Sequence, residues 1–298
     1  MSTFLEQVFN GLIIAAVLLL IALGLTFTFG QMGVINMAHG ELIMAGAFTP
    51  YVLQSQIGLF AGAAGAAFLF ALPLAFVVGG LLGFLMNLIV RRMYGRALDT
   101  LLVTFGIALL LQQVAKDVFG APNVEVVVPT WLQGNTEVAG FTMPHTRLFI
   151  IFLAMTVVLL VWGFMSRLAQ GRRMRAVMQN RELAAVSGIP TGRVDTFTFV
   201  LGSGLAGIAG CAVALIGPIG FRTGTTYIID AFLVVIFGGI GKLRGAVIAA
   251  VVLGLVSSFS EYSTSASIGK AITLGIVILF LQFRPNGIVT FRTRGLTA

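Results

Sequence analysis

Apolar runs about as long as a bilayer is thick recur along the whole chain, with very little polar sequence between them. A helix needs about 20 consecutive apolar residues to cross the hydrocarbon core. Positions 11–29, 61–90 and 148–164 each supply a run of this kind. Of 298 residues, 58% are hydrophobic and 9% charged, whereas a soluble domain carries roughly 25% charged residues. The pattern predicts an all-α fold, a polytopic transmembrane helix bundle of about eight or nine spans with broken or re-entrant segments. Residues 1–298 read as a single transmembrane domain. The longest non-apolar stretches, 120–147 and 167–195, are the size of loops and leave no room for a second, soluble domain.

The formal net charge is +8. The basic residues gather at span ends, which favours topology and lipid head groups over nucleic acid. Arg91, Arg92 and Arg96 form one cluster; Arg167, Arg172, Arg173, Arg175 and Arg181 form the largest. Lys242 with Arg244, and Arg284 with Arg292 and Arg294, complete the set. The positive-inside rule places all four groups in the cytoplasm. Residues 120–147, with Glu125 and Glu137, then face outside, the N-terminus lies outside and the C-terminus inside. No Lys or Arg precedes the first apolar run, so it reads as an uncleaved span rather than a signal peptide.

Spans are expected near 8–29, 40–57, 60–90, 98–118, 148–166, 196–216, 227–240, 246–261 and 269–283. Two stand apart. Residues 40–57 hold Glu41, Pro50 and Gln54, and residues 227–240 are short and end in Gly238, Gly239 and Gly241. Broken or short segments in both halves of a transporter point to a site at mid-membrane, where non-helical backbone must line a cavity or be packed in protein. The strings 41–48 and 230–237 are faintly alike, as an internal repeat would make them.

The densest polar string inside apolar sequence is 26–41, with Gln31, Asn36, His39 and Glu41. Charges within a membrane are costly and usually face a bundle interior or a watery path. Glu41 either caps the following helix near its N-terminus or lines a vestibule, and both roles are compatible. Asp230, after Tyr227, is the second buried acid, with the same alternative of a helix-start role. Gln112 and Gln113 either bond helix to helix or line a path for a polar solute.

Residues 171–190 read as a short, basic amphipathic helix that Gly188 ends and Pro190 prevents from continuing. It either lies on anionic lipid or docks in a groove on a cytosolic partner. No catalytic constellation is present. The chain has two histidines, no metal-ligand spacing and no phosphate-binding G-x-x-x-x-G-K-[ST]. Its single cysteine, Cys211, lies in an apolar run and reads as an inert buried thiol. The chain is therefore not expected to be an enzyme or to hold a cofactor or metal, and any ATP that drives it is bound elsewhere.

Three strings make the reading specific. Residues 33–41 (GVINMAHGE), followed by Met44-Ala-Gly46-Ala47, resemble the signature of permease subunits of branched-chain amino acid ABC importers. The segment with Arg175, Ala176, Asn180, Glu182, Ala185 and Gly188, within about 167–195, resembles the coupling segment of that family, which docks on the ATPase. Residues 230–246 resemble its late motif. Within the family, Phe119-Gly-Ala-Pro-Asn123, Pro129 with Trp131, and 217–220 with 226–235 resemble the urea permease subgroup; Phe221-Arg222 departs from that pattern. The resemblance implies a bacterial inner-membrane permease working with a second permease, two cytosolic ATPases that bind ATP, and a periplasmic solute-binding protein. It implies urea or a short amide as solute, with branched-chain amino acids as the alternative. A passive channel would not need the docking segment, and an ion-coupled carrier would use Glu41 and Asp230 instead of an ATPase. Gln31, Asn36, His39, Glu41, Gln112, Gln113, Tyr227 and Asp230 are the candidate path residues.

Overall fold

The computed structural model describes residues 2–55, 64–138 and 141–289. Among them are eleven α-helices and one two-stranded hairpin. The chain runs α1 (Ser2–Met32), α2 (His39–Ser55), α3 (Ala64–Val90), α4 (Ala97–Phe119), β1 (Asn135–Val138), β2 (Phe141–Pro144) and α5 (His145–Arg167). It continues through α6 (Ala169–Gln179), α7 (Arg181–Val186), α8 (Thr191–Ala214), α9 (Thr223–Gly238), α10 (Leu243–Ser263) and α11 (Ala266–Phe283). Seven helices (α1, α3, α4, α5, α8, α10 and α11) are long and apolar enough to cross a membrane. The expected polytopic bundle is thus observed, with α2 and α9 as the two short members. Arg292 and Arg294 of the last basic cluster lie outside the described residues.

Helices α1 and α8 form the centre. Ile21, Ala22, Leu23 and Leu25 of α1, and Phe199, Ala206 and Cys211 of α8, are fully or almost fully buried. By contrast α4, α5 and α11 turn Leu102, Leu110, Phe152, Leu160 and Leu279 outward, as lipid-facing helices do. In lipid, close packing takes over the role that water exclusion plays elsewhere, and small residues let backbones approach. Gly207 shows this directly. A Cβ there would collide with the Ala75 carbonyl of α3, and one on Gly46 of α2 would collide with the Gly207 carbonyl.

Both short helices begin inside the bundle. At the end of α1, Gly33 takes a positive φ of 63°, and the chain turns back without helix over residues 33–36. His39 Nε2 then lies 3.1 Å from the carbonyl oxygen of Ile21. Ile21 precedes the end of α1 by about 16 Å at the helical rise of 1.5 Å per residue. The returning backbone is satisfied by protein groups, as a non-aqueous interior requires. Met37 N–H donates to Thr104 Oγ1 at 3.1 Å, Thr104 Oγ1 donates to Ile35 O at 3.1 Å, and Ala38 N–H donates to Asn36 Oδ1 at 3.1 Å.

A matching break precedes α9. Residues 215–222 leave α8 without helix, and Ile219 and Val124 exchange backbone hydrogen bonds of 2.9 and 2.8 Å. The starts of α2 and α9 meet, so closely that a Cβ on Gly40 would overlap the Gly224 carbonyl. Each half thus reads helix, break, short helix, helix, and the halves pack reciprocally: α3 lies on α8 as α10 lies on α1. This is the pattern an inverted repeat produces. Its register differs from the one suggested by the strings at 41 and 230, because Gly40 corresponds in place to Gly224.

The expected single amphipathic helix over 171–190 is two helices. Asn180, at φ −156°, breaks the run, and its Oδ1 accepts from Leu183 N–H at 2.9 Å, capping α7. Gly188, at φ 82°, ends it. The α6 residues Gly171, Met174 and Val177 are buried, and a Cβ on Gly171 would strike the last turns of α5.

Candidate functional site

The start of α2 gathers four of the eight candidate path residues. Asn36, His39 and Glu41 are buried, with Glu41 only 2% exposed. Gln112 of α4 donates from Nε2 to Glu41 Oε1 at 2.8 Å, and the same amide lies 3.4 Å from Thr225 Oγ1 of α9. Glu41 occupies the first turn of α2, where the helix dipole favours a negative charge. Among the described residues no hydrogen bond joins its carboxylate to the α2 backbone, because Oε1 is taken by Gln112 and Oε2 has no partner. Asn36 Nδ2, His39 Nδ1 and Glu41 Oε2 are buried and have no hydrogen-bond partner within the chain. Most buried polar atoms are paired, so three such atoms within six residues mark a place that is not self-sufficient.

From this cluster polar groups continue onto an open face. Gln113 of α4 is exposed and donates to Asp117 Oδ1 at 2.8 Å. Lys116 Nζ and the Arg222 guanidinium lie 5.8 and 5.5 Å from the Phe221 ring centre, within cation–π reach.

The other three candidates lie elsewhere. Tyr227 and Asp230 line a cleft of about 760 Å³ between α1, α9, α10 and α11, in which Lys270 Nζ stands 3.3 Å from Asp230 Oδ2. Asp230 lies well beyond the first turn of α9, which begins at Thr223, so a helix-start role does not fit it. Among the described residues no hydrogen bond or ion pair joins it to Glu41. Gln31, at the end of α1, bonds to Asp195 and Thr198 of α8, away from the α2 cluster.

The docking candidates share one surface. Arg175, Asn180, Glu182, Ala185 and Gly188 are exposed, and Ala176 is half-buried. Between them Leu183 and Val186 are 62% and 82% exposed. This exposed apolar pair lies beside the exposed, charged Arg181 and Glu182.

Sequence reasoning did not single out Thr225, Asp195, Asn87 or Tyr94. Asn87 Nδ2 donates to Thr196 Oγ1 at 3.0 Å, and Tyr94 OH donates to Asn87 Oδ1. Burial, with the nearby Asp195 carboxylate adding to it, pushes the Tyr94 phenol above its usual range, so it remains a donor. Only a buried asparagine close to a basic turn hinted at this junction. Among the described residues no group of three His, Cys, Asp or Glu side chains is placed to hold a metal ion.

Two short helices meeting at a buried polar cluster inside a helical membrane bundle are the architecture of a transport subunit. Residues 7–281 match the family described as branched-chain amino acid transport system, permease component, and the chain belongs to that membrane-spanning family. It is 29% identical to the high-affinity branched-chain amino acid transport system permease protein BraD of Pseudomonas aeruginosa, over 96% of this chain and 95% of that one. It is 30% identical to the permease protein LivH of the corresponding system of Escherichia coli K12, with the same coverage. The permease protein LivM of Salmonella typhimurium is 26% identical over 91% of this chain and 67% of its own length. The family's members named here are permease subunits of transport systems rather than enzymes. The finer resemblance to urea permeases has no counterpart among these relatives.

Proposed function

We propose that this chain is a membrane permease subunit of an ATP-driven importer for branched-chain amino acids. The observation that carries the reading is the match along nearly the whole chain to a family whose full-length relatives bear that description. The open face supports it over the urea reading. A zwitterion needs fields of both signs beside apolar surface. Lys116 and Arg222 flank Phe221, Asp117 follows Lys116 on α4, and α9 starts beside Arg222 with the positive end of its dipole. Urea would need only neutral amides such as Gln112 and Gln113.

In this reading the protein sits in the bacterial inner membrane with its N-terminus outside and its C-terminus in the cytoplasm. The basic end, with α6 and α7, then faces the cytosol and docks on one of two ATPase subunits that bind and hydrolyse ATP. A second, related permease, resembling the LivM-type chain in its family, completes the pore, and a solute-binding protein delivers cargo from outside. ATP-driven closure of the ATPases shifts the bundle between outward and inward openings, a change of population between two states. Glu41 with Gln112, and the face beyond them, line the path. Deleting this chain from its native cell tests the substrate: the reading expects loss of high-affinity leucine, isoleucine and valine uptake with urea uptake unchanged. Loss of urea uptake with leucine uptake intact would overturn it.

A further inference from the structure

We propose that Asp195 is a positioning residue that ties the ATPase-docking helix α7 to the end of α1, and through it to the polar start of α2. The proposal rests on the docking reading of α7 given above. Arg181, the first residue of α7, forks onto Asp195: one guanidinium nitrogen donates to Oδ1 at 3.2 Å and the other pairs with Oδ2. From the opposite side Gln31 Nε2 donates to Asp195 Oδ1 at 2.9 Å. Gln31 Oε1 in turn accepts from Thr198 Oγ1 at 2.8 Å. Asp195 is 1% exposed, and every side-chain nitrogen and oxygen of Asp195 and Gln31 has at least one hydrogen-bond partner.

Only the carboxylate is buried: the Arg181 side chain is 44% exposed. A half-exposed ion pair contributes modest net stability, and its best-attested use is to fix one arrangement of parts. A bidentate guanidinium–carboxylate pair is directional as well as charged, so it transmits rotation where an apolar contact slips. What it joins is specific. Helix α7 is six residues long and carries the exposed Leu183 and Val186. Its main packing is on α6 and α8. Gln31 lies two residues before Gly33, whose positive φ starts the non-helical return to Asn36, His39 and Glu41. The first turns of α8 are braced on their other side by Asn87 and Tyr94 through Thr196. A displacement of α7 therefore has a fixed fulcrum and one polar output, the end of α1.

The test uses the assembled importer with its second permease, ATPases and binding protein, reconstituted in vesicles, and reads leucine imported per ATP hydrolysed. Gln31→Leu cuts the output and leaves the Arg181–Asp195 pair. We expect ATP hydrolysis to persist while import per ATP falls at least about fivefold, the lower end of the range for coupling between sites. Asp195→Asn should lower the same ratio, and the exchange Arg181→Asp with Asp195→Arg should recover part of it. A wild-type ratio in Gln31→Leu would overturn the proposal. So would a loss of ratio that tracks a loss of thermal stability across the three variants. The docking reading is checked separately by Leu183→Glu: if ATPases still co-purify with that variant, docking by α7 is wrong. If they are lost while Gln31→Leu keeps a normal ratio, only the Asp195 joint is wrong.

Discussion

Replacing Glu41 by Gln keeps its shape and removes its charge, and the structure sets the size of the effect. The native carboxylate accepts one hydrogen bond from Gln112 at 2.8 Å and sits in the first turn of α2, 2% exposed. A hydrogen bond to a charged group contributes about 1.5–3 kcal/mol, and a neutral one about 1 kcal/mol. A charge at a helix N-terminus adds about 0.3–1 kcal/mol. Glu41→Gln therefore forfeits about 0.8–3 kcal/mol of whichever state holds the pair intact. At 1.36 kcal/mol per decade, that is about 4- to 160-fold in a step that depends on it. The assay is initial-rate, ATP-dependent leucine uptake by vesicles holding the complete importer, with the amount of inserted protein measured alongside. A cycle adding Gln112→Leu isolates the pair. If uptake is normal with Glu41→Gln, or if it falls only as far as insertion falls, Glu41 is a helix cap alone and its place in the path is refuted.

Other outcomes follow from the packing and the docking face. Gly207→Val should prevent stable folding, because overpacking typically costs about 1–3 kcal/mol and here a side chain meets the Ala75 backbone; recovery of monodisperse protein after detergent extraction reports it. Asn180→Ala should weaken α7 by about 1 kcal/mol through loss of its N-cap and lower ATPase stimulation while membrane insertion stays normal. Gly188→Val forces a β-branched residue into a left-handed conformation and should uncouple ATP hydrolysis from substrate delivery; stimulation at the native level would speak against the docking reading. Lys270→Ala should leave Asp230 without its ion-pair partner in the cleft it lines and reduce thermal stability, with restoration in the double variant Asp230→Ala, Lys270→Ala.

Much of this was legible in the chain itself. Long apolar runs can satisfy their backbone in lipid only as helices, so the spans were readable from length alone. Glu41 with Pro50, and the glycines at 238–241, correctly flagged the two short helices. What sequence spacing does not carry is partnership at a distance. Gln31 read as part of the polar string with Glu41, yet its partner Asp195 is 164 positions away, and the turn at Gly33 sends the two ends of the string to different depths. Tyr227 and Asp230 read as the start of a helix because the apolar run begins there. The helix begins earlier, at Thr223, since Gly224 must pack against Gly40. The break at Asn180 went unread, because the surrounding amphipathic pattern runs straight through it.

Reconstitution of the complete importer in vesicles, with labelled leucine outside in the presence and absence of internal ATP and with urea as a competitor, tests the central claim most directly. The account predicts leucine accumulation that requires ATP and all partner chains and that excess urea leaves unchanged. Leucine entry through this chain alone, without ATPase or ATP, would contradict it and make the protein a channel or an ion-coupled carrier.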